Sequence, residues 1–140
     1  MTDRIFLDSN IWVYFFTKND LIKRMTVSEY IGKGMENSRF VLSYQVVNEV
    51  CCTLKKKKYS ESVLRRVADD MMAMCEVCNY SDEIIFLASE LRERFLFSYW
   101  DSQIVASALI SNCNILASED MQDGLKIDNM IILNILNSKI

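Results

Sequence analysis

Two periodicities alternate along this chain: short uninterrupted apolar runs, and longer segments whose apolar positions recur every three to four residues. The first pattern marks strands buried on both faces, the second amphipathic helices. Arg4-Ile5-Phe6-Leu7 reads as a strand halted by Asp8-Ser9-Asn10. The run Ile11 to Phe16 has a strand-like composition, yet it follows a Ser/Asn start signal, and a helix there suits the rest of the chain. Asp20 to Ser38 is helical in period and is predicted to end near Gly32, Gly34 and Asn37. Phe40-Val41-Leu42 is a second strand, after which Ser43 is placed to cap a helix to about Lys58 that buries Val46, Val47 and Val50. Ser60-Glu61-Ser62 opens a helix through Met74, and Glu76 to Tyr80 is a weaker third strand. Ser81-Asp82-Glu83 opens a helix to about Phe95, and Ser98-Tyr99-Trp100-Asp101 opens one to about Ser111. Ile115-Leu116-Ala117 and Met130 to Leu133 are the last strands.

Short strands separated by helices predict βαβ units, hence an α/β fold with a parallel sheet covered on both faces. With no linker, repeat or low-complexity stretch, residues 1–140 are expected to form a single domain. An apolar share of 51% and a charged share of 25% agree with a packed core. The absences narrow the chemistry. There is no histidine, which removes Ser-His-Asp and Cys-His hydrolases, paired-histidine ribonucleases and zinc sites that need imidazole. Only three glycines occur, none in a phosphate-cradling loop, and there is no proline. A net charge of −3 carries no basic footprint of a nucleic-acid binder, although a bound metal can invert a local field. No apolar run approaches the ~18–20 residues that cross a membrane. Met1-Thr2-Asp3-Arg4 leads into the first strand without signal-peptide architecture, and five cysteines read as reduced thiols, so a cytoplasmic location is expected.

Open parallel sheets hold ligands at the carboxyl ends of their strands. Asp8 directly follows the first strand, Glu49 lies two turns into the helix after the second, and Asp120 lies just beyond Ile115 to Ala117. Asp101 stands in the first turn of a helix that can aim it into the same crevice. Four converging carboxylates repel one another, and a divalent cation resolves that repulsion. All-oxygen ligation selects Mg²⁺ or Mn²⁺ over zinc, and some of the four would act through water. The chemistry such a site suits is phosphoryl transfer to water, in a phosphodiesterase or a phosphatase. Each acid also has a plainer reading. Asp101 with Ser98 resembles a capping box, Glu49 can pair with Thr53 or nearby lysines, and Asp120 can open a turn in Ser118-Glu119-Asp120.

The segments IFLDSN (5–10), VVNEV (46–50), YWDSQIVASAL (99–109) and ILASED (115–120) resemble, in order, the four acidic motifs of PIN-domain ribonucleases. Within that family the chain is similar to the small VapC-type toxins of bacterial toxin–antitoxin modules, over roughly residues 4 to 136. The resemblance implies a three-layer α/β/α sandwich around a short, mainly parallel sheet. It implies Mg²⁺ or Mn²⁺ at Asp8 and Asp101, with Glu49 and Asp120 completing a catalytic acidic pocket. It matches Asn10 and Ser118 to small polar positions that order the metal's water shell. The implied reaction is endonucleolytic cleavage of RNA by a metal-activated water. The implied partners are a second copy of the chain, as a homodimer, and a cognate antitoxin whose C-terminal segment covers the pocket. One departure concerns a further acid that many members carry two residues after Asp120; Gln122 stands there, and Asp123 either substitutes or serves the turn before Gly124.

Candidate cations for an RNA path are Lys55 to Lys58, Arg65, Arg66, Arg92 and Arg94, with the lysine run reading first as a solvated helix end. Trp12, Tyr14, Phe15 and Phe16 are too many rings for one helix to bury, so about half are expected in the core and the rest against a partner. Cys75-x-x-Cys78 ends a helix where a redox motif would open one, which favours buried thiols over redox or zinc chemistry, and Met71, Met72 and Met74 read as core. Two alternatives stay open. A haloacid-dehalogenase-like phosphatase also places an acid after its first strand but needs a second at position 10, where this chain has Asn10, and a receiver domain fits less well. A PIN-like binding module without catalysis would have no reason to keep four repelling acids.

Overall fold

The computed structural model describes residues 2–137. In β1 (Asp3–Leu7), Ile5, Phe6 and Leu7 are buried in unbroken succession, as a strand covered on both faces requires. β1 pairs in parallel with β2 (Ser38–Ser43) and β4 (Ile115–Ala117), Ile5 facing Phe40 on one side and Ile115 on the other. β3 (Glu76–Cys78) adds in parallel beyond β2, and β6 (Met130–Leu133) beyond β4. A two-residue β5 (Lys126–Ile127) closes the far edge antiparallel to β6, giving the order β3-β2-β1-β4-β6-β5.

Two sets of helices flank this sheet in a three-layer α/β/α arrangement. In the first, α1 (Ser9–Phe16) packs on α2 (Leu21–Asn37) and α3 (Tyr44–Lys56), and α3 packs on α4 (Glu61–Met74). In the second, α5 (Asp82–Arg94) packs on α6 (Tyr99–Ile110), and each set reaches β2. Side chains of Asp20, Ser43, Ser60 and Ser98 accept hydrogen bonds from backbone N–H groups in the first turns of α2, α3, α4 and α6. Among the described residues, no helix is long and apolar enough to cross a membrane.

Several expectations need correction. α2 is not among them: it ends at Asn37 as its period predicts, and passes through Gly32 and Gly34, lying against the ring of Phe40 at Gly34. α3 ends two residues early, at Lys56. Tyr59 N–H returns to the Leu54 carbonyl (3.1 Å) and Lys58 N–H to that of Lys55 (3.0 Å), with Lys58 left-handed at φ 74°. That is a Schellman stop with lysine where glycine is usual. β3 ends at Cys78 rather than Tyr80, and β5 has no counterpart in the apolar pattern. Its signal is the Asp128-Asn129 turn, with Asp128 at φ 52°.

Met71 is in the core and Met74 packs against it, but Met72 faces outward. Of the five free cysteines only Cys113 is buried and Cys52 is exposed. Cys75 and Cys78 are half-buried rather than buried, and burial pushes the Cys75 and Cys113 thiols up to about 12, which disfavours their thiolates. Trp12 is fully buried, and Phe16 stacks on it at 6.0 Å while Phe15 meets both edge-on. Tyr14, Phe15 and Phe16 pack against the core but stay partly exposed.

The two glycines of α2 separate a packing role from a missed opportunity. A Cβ at Gly34 would lie 2.9 and 3.2 Å from ring carbons of Phe40, which is itself buried, whereas nothing lies within 4 Å of one at Gly32. In urea unfolding, Gly34→Ala is expected to destabilise by about 1–3 kcal/mol. Gly32→Ala is expected to stabilise by up to about 1 kcal/mol; equal effects would contradict the packing described.

Candidate active site

The parallel strands β1 and β4 end side by side, and the backbone keeps pairing past them: Asp8 N–H donates to Ala117 O (2.9 Å), and Ser118 N–H to Leu133 O (3.0 Å). This extension draws Asp8 into the interior, where it is 3% exposed. Both carboxylate oxygens are held. The Ser9 N–H reaches Oδ1 at 2.8 Å as α1 begins, and the hydroxyl of fully buried Ser118 donates to Oδ2 at 2.7 Å. Burial pushes the Asp8 pKa up to about 6, against the pull of these two hydrogen bonds and with the help of the Asp101 and Glu49 charges.

Ser118 also shapes the loop that carries Asp120. Its oxygen accepts the N–H groups of Asp120 (3.2 Å) and Met121 (3.4 Å). Asn10 clasps the same loop from α1, donating to Asp120 Oδ2 at 3.0 Å and accepting the Glu119 N–H at 3.2 Å. Glu119 is tied back in turn by the Lys23 ammonium (2.6 Å) and the Tyr14 hydroxyl (2.6 Å). Burial alone would raise the Glu119 pKa; those two donors more than offset it and hold the group below the usual carboxylate range. The turn reading of Asp120 is therefore right about its backbone and incomplete about its side chain.

Asp101 enters from α6, half-buried in the third helical position, with its N–H on Ser98 Oγ at 3.1 Å. The cap that was a rival explanation is thus present. Burial still raises its carboxyl pKa, Asp120 adds to the rise, and the Ser98 hydroxyl opposes it. Glu49 pairs with neither Thr53 nor a lysine. It accepts from Gln45 Nε2 (2.9 Å), which also donates to the Trp100 carbonyl (3.1 Å) and so ties α3 to the start of α6. Sequence reasoning missed Gln45, although the four-residue spacing on one helix face was there to read. It also missed Lys23 and Tyr14, whose partner Glu119 is about a hundred residues away.

Asp8 thus feels the charges of Asp101 and Glu49, and Asp101 that of Asp120. Among the described residues the ion pairs are Arg4–Glu76, Lys23–Glu119 and Lys55–Glu61, so no cationic side chain neutralises any of the four. No three Asp, Glu or Cys side chains among the described residues stand close enough to grip a cation by themselves. Mg²⁺ needs only one or two protein carboxylates and keeps several waters. The donor set fits it, being all oxygen. A cleft of about 290 Å³ opens over Asp101 and Asp120, with Arg94, Phe95, Phe97 and Gln122 in its wall. Asp123 turns away from it: its Oδ1 accepts the Asn134 N–H at 2.8 Å, fixing the turn at Gly124. Lys55 to Lys58 are exposed at the opposite end of α3, as a solvated helix end would be.

The PIN domain family model matches residues 5–124. No curated protein is significantly similar in sequence. Solved structures superpose over most of the chain. VapBC2 from Rickettsia felis bound to a DNA fragment from their promoter matches with a TM-score of 0.71 at 21% identity, over 92% of this chain and 96% of that one. VapC20 of Mycobacterium tuberculosis, described as a sarcin-ricin loop cleaving toxin, matches with a TM-score of 0.68 at 16% identity, over 83% and 91%. DNA-bound VapBC from Salmonella typhimurium gives 0.68 at 14%, over 94% and 97%. At these identities the likeness is one of fold.

A buried acid whose pKa is raised favours its protonated form in the folded state. Folded protein then binds the extra proton between the ordinary value of 3.8 and about 6, and stability falls as pH rises through that window. Without divalent metal, Asp8→Asn is expected to remove this cost and raise stability at pH 7 by roughly 1–3 kcal/mol. Thermal unfolding in EDTA from pH 4 to 7.5 checks it. Parallel pH profiles for wild type and variant would show that Asp8 carries no such charge penalty.

Proposed function

This chain belongs to the PIN domain family, and on that premise we propose that it acts, as a single domain, as a metal-dependent endoribonuclease, the toxin of a toxin–antitoxin pair. The observation that carries the reading is the crevice itself. Asp8, Glu49, Asp101 and Asp120 come from four separate segments, repel one another, and have no lysine or arginine paired to them among the described residues. The kinship with VapC folds supports the biological role, since one such neighbour is described as a sarcin-ricin loop cleaving toxin and others as VapBC bound to DNA.

In this reading Asp8 and Asp101 are the principal metal-holding carboxylates, with Glu49 and Asp120 completing the set, partly through water. A bound Mg²⁺ or Mn²⁺ would supply a water of lowered pKa and offset the charge that builds on the phosphodiester. The protein's part is alignment. Ser118 and the Ser9 N–H fix both oxygens of Asp8, Asn10 and Ser118 fix the Asp120 loop, and Gln45 fixes Glu49. Glu49 and Asp120 are less buried than Asp8 and are the groups placed to take the proton lost by the attacking water. A haloacid-dehalogenase-type mechanism is disfavoured because position 10 holds an amide already engaged with Asp120.

An antitoxin or a second copy needs an apolar landing place. The first turns of α2 offer Leu21, Ile22 and Met25, respectively 62%, 79% and 74% exposed. RNA as substrate places the activity in the cytoplasm.

The direct test is cleavage of total cellular RNA by the purified, partner-free chain in Mg²⁺, in Mn²⁺ and in EDTA. Discrete fragments are expected with either metal and none in EDTA, with Asp8→Asn and Asp101→Asn each slowing cleavage by at least about 100-fold. Folded protein that cuts nothing would contradict the reading and favour a non-catalytic PIN module. Cleavage that survives EDTA would contradict the metal.

A further inference from the structure

Four aromatic side chains stand half exposed or more around the crevice: Tyr44 at 50%, Tyr80 at 58%, Tyr99 at 53% and Trp100 at 61%. Exposed apolar rings scattered singly over a surface need no explanation, but a group around one site does. Tyr44 is the first residue of α3, directly after β2, and Tyr80 follows β3 by two residues. Tyr99 and Trp100 open α6, immediately before Asp101.

Three of these rings, Tyr80, Tyr99 and Trp100, have fixed neighbours. The Tyr80 hydroxyl donates to Gln103 Oε1 at 2.7 Å. The Trp100 carbonyl accepts the same Gln45 amide that holds Glu49. Tyr99 meets Trp100 edge-on at 5.2 Å, and the Arg92 guanidinium lies 4.3 Å from the Tyr99 ring centre, anchored to Ser102 Oγ at 2.7 Å. Between Tyr44 and Tyr80 lies a narrow, mostly apolar cleft of about 130 Å³, too small for a metabolite and suited to one flat ring. Arg94, in the wall of the neighbouring cleft over Asp101 and Asp120, adds a second guanidinium to the strip.

Fixed aromatic faces interspersed with guanidinium groups are the recognition chemistry of unpaired nucleotides: bases stack on the rings, and phosphates meet the cations. An apolar peptide would use the rings but leave both guanidiniums without an anion, so the charge favours nucleic acid over protein on this face. Resting on the ribonuclease reading, we infer that Trp100, Tyr99 and the Tyr44–Tyr80 cleft form a stacking track for unpaired RNA nucleotides flanking the phosphate to be cut. Bases inside an A-form helix are already stacked and cannot lie on these rings, so the track selects single strands and loops and refuses duplex.

The chain has two tryptophans, and Trp12 is fully buried, so Trp100 is the solvent-facing fluorophore. The probe is a short 2′-O-methylated single strand, titrated in Mg²⁺ beside the same sequence annealed to its complement. Wild type is expected to bind the single strand with quenched tryptophan emission and to bind the duplex at least about tenfold more weakly. Trp100→Leu, at an exposed position that leaves folding intact, is expected to lose the quenching and about tenfold in affinity, and Trp100→Phe to lose the quenching but keep the affinity. Tyr44→Leu combined with Tyr80→Leu is expected to weaken binding by a similar factor. If wild type binds and cuts RNA while the leucine variants bind as tightly as it does, the track is overturned and the ribonuclease reading stands. If wild type neither binds nor cuts RNA, and Trp100→Leu instead alters its self-association in sedimentation, the strip is a protein interface and both readings fall.

Discussion

A carboxylate buried at the end of a parallel strand, facing other carboxylates with no cationic side chain to meet it, is the constraint on which the rest of this structure turns. Asp8 is drawn inside because β1 lies between β2 and β4 and its ladder continues past the last strand residue. Its charge is tolerated through two hydrogen bonds, from Ser9 and Ser118, which stabilise the ionised form without neutralising it. An ordinary folding requirement would favour an asparagine there, or a lysine opposite. The proposed cation would supply the positive charge that the protein does not.

Around Asp8 the supporting contacts are mostly neutral amides and hydroxyls: Asn10 to Asp120, Gln45 to Glu49, Ser98 at the start of α6. Such groups fix a carboxylate's direction while leaving its charge to be used elsewhere. The full ion pair near the site, Lys23 with Glu119, falls on the one acid of the Ser118–Asp120 loop that points away from the crevice. Among the described residues, cationic partners are thus spent on architecture and withheld from the four acids.

Much of this was legible in the sequence because the relevant signals are local. Uninterrupted apolar runs mark doubly covered strands, the serine and aspartate caps mark helix starts, and the rule that ligands sit at strand carboxyl ends sets Asp8 and Asp120 side by side, where Ser118 joins them. What stayed hidden depends on distance in the chain. The close approach of α2 to Phe40 at Gly34 cannot be read locally, and Lys58 gives no sign of its left-handed backbone. The roles of Tyr14 and Lys23 become visible only when Glu119 arrives from across the fold. Asp123 shows the converse: an acid near the site by sequence is claimed by the Asn134 backbone and serves a turn.

The proposed nuclease requires that Asp8 and Asp101, with Glu49 and Asp120 acting partly through water, hold one divalent cation. Titration of the metal-free chain with Mn²⁺, followed by the paramagnetic resonance signal of the free ion, tests it without reference to any RNA. The account requires a single saturable site in the wild-type chain, displaced by Mg²⁺ and lost in Asp101→Asn. A folded wild-type chain that leaves all added Mn²⁺ free, or an Asp101→Asn variant that binds it as well, would contradict it.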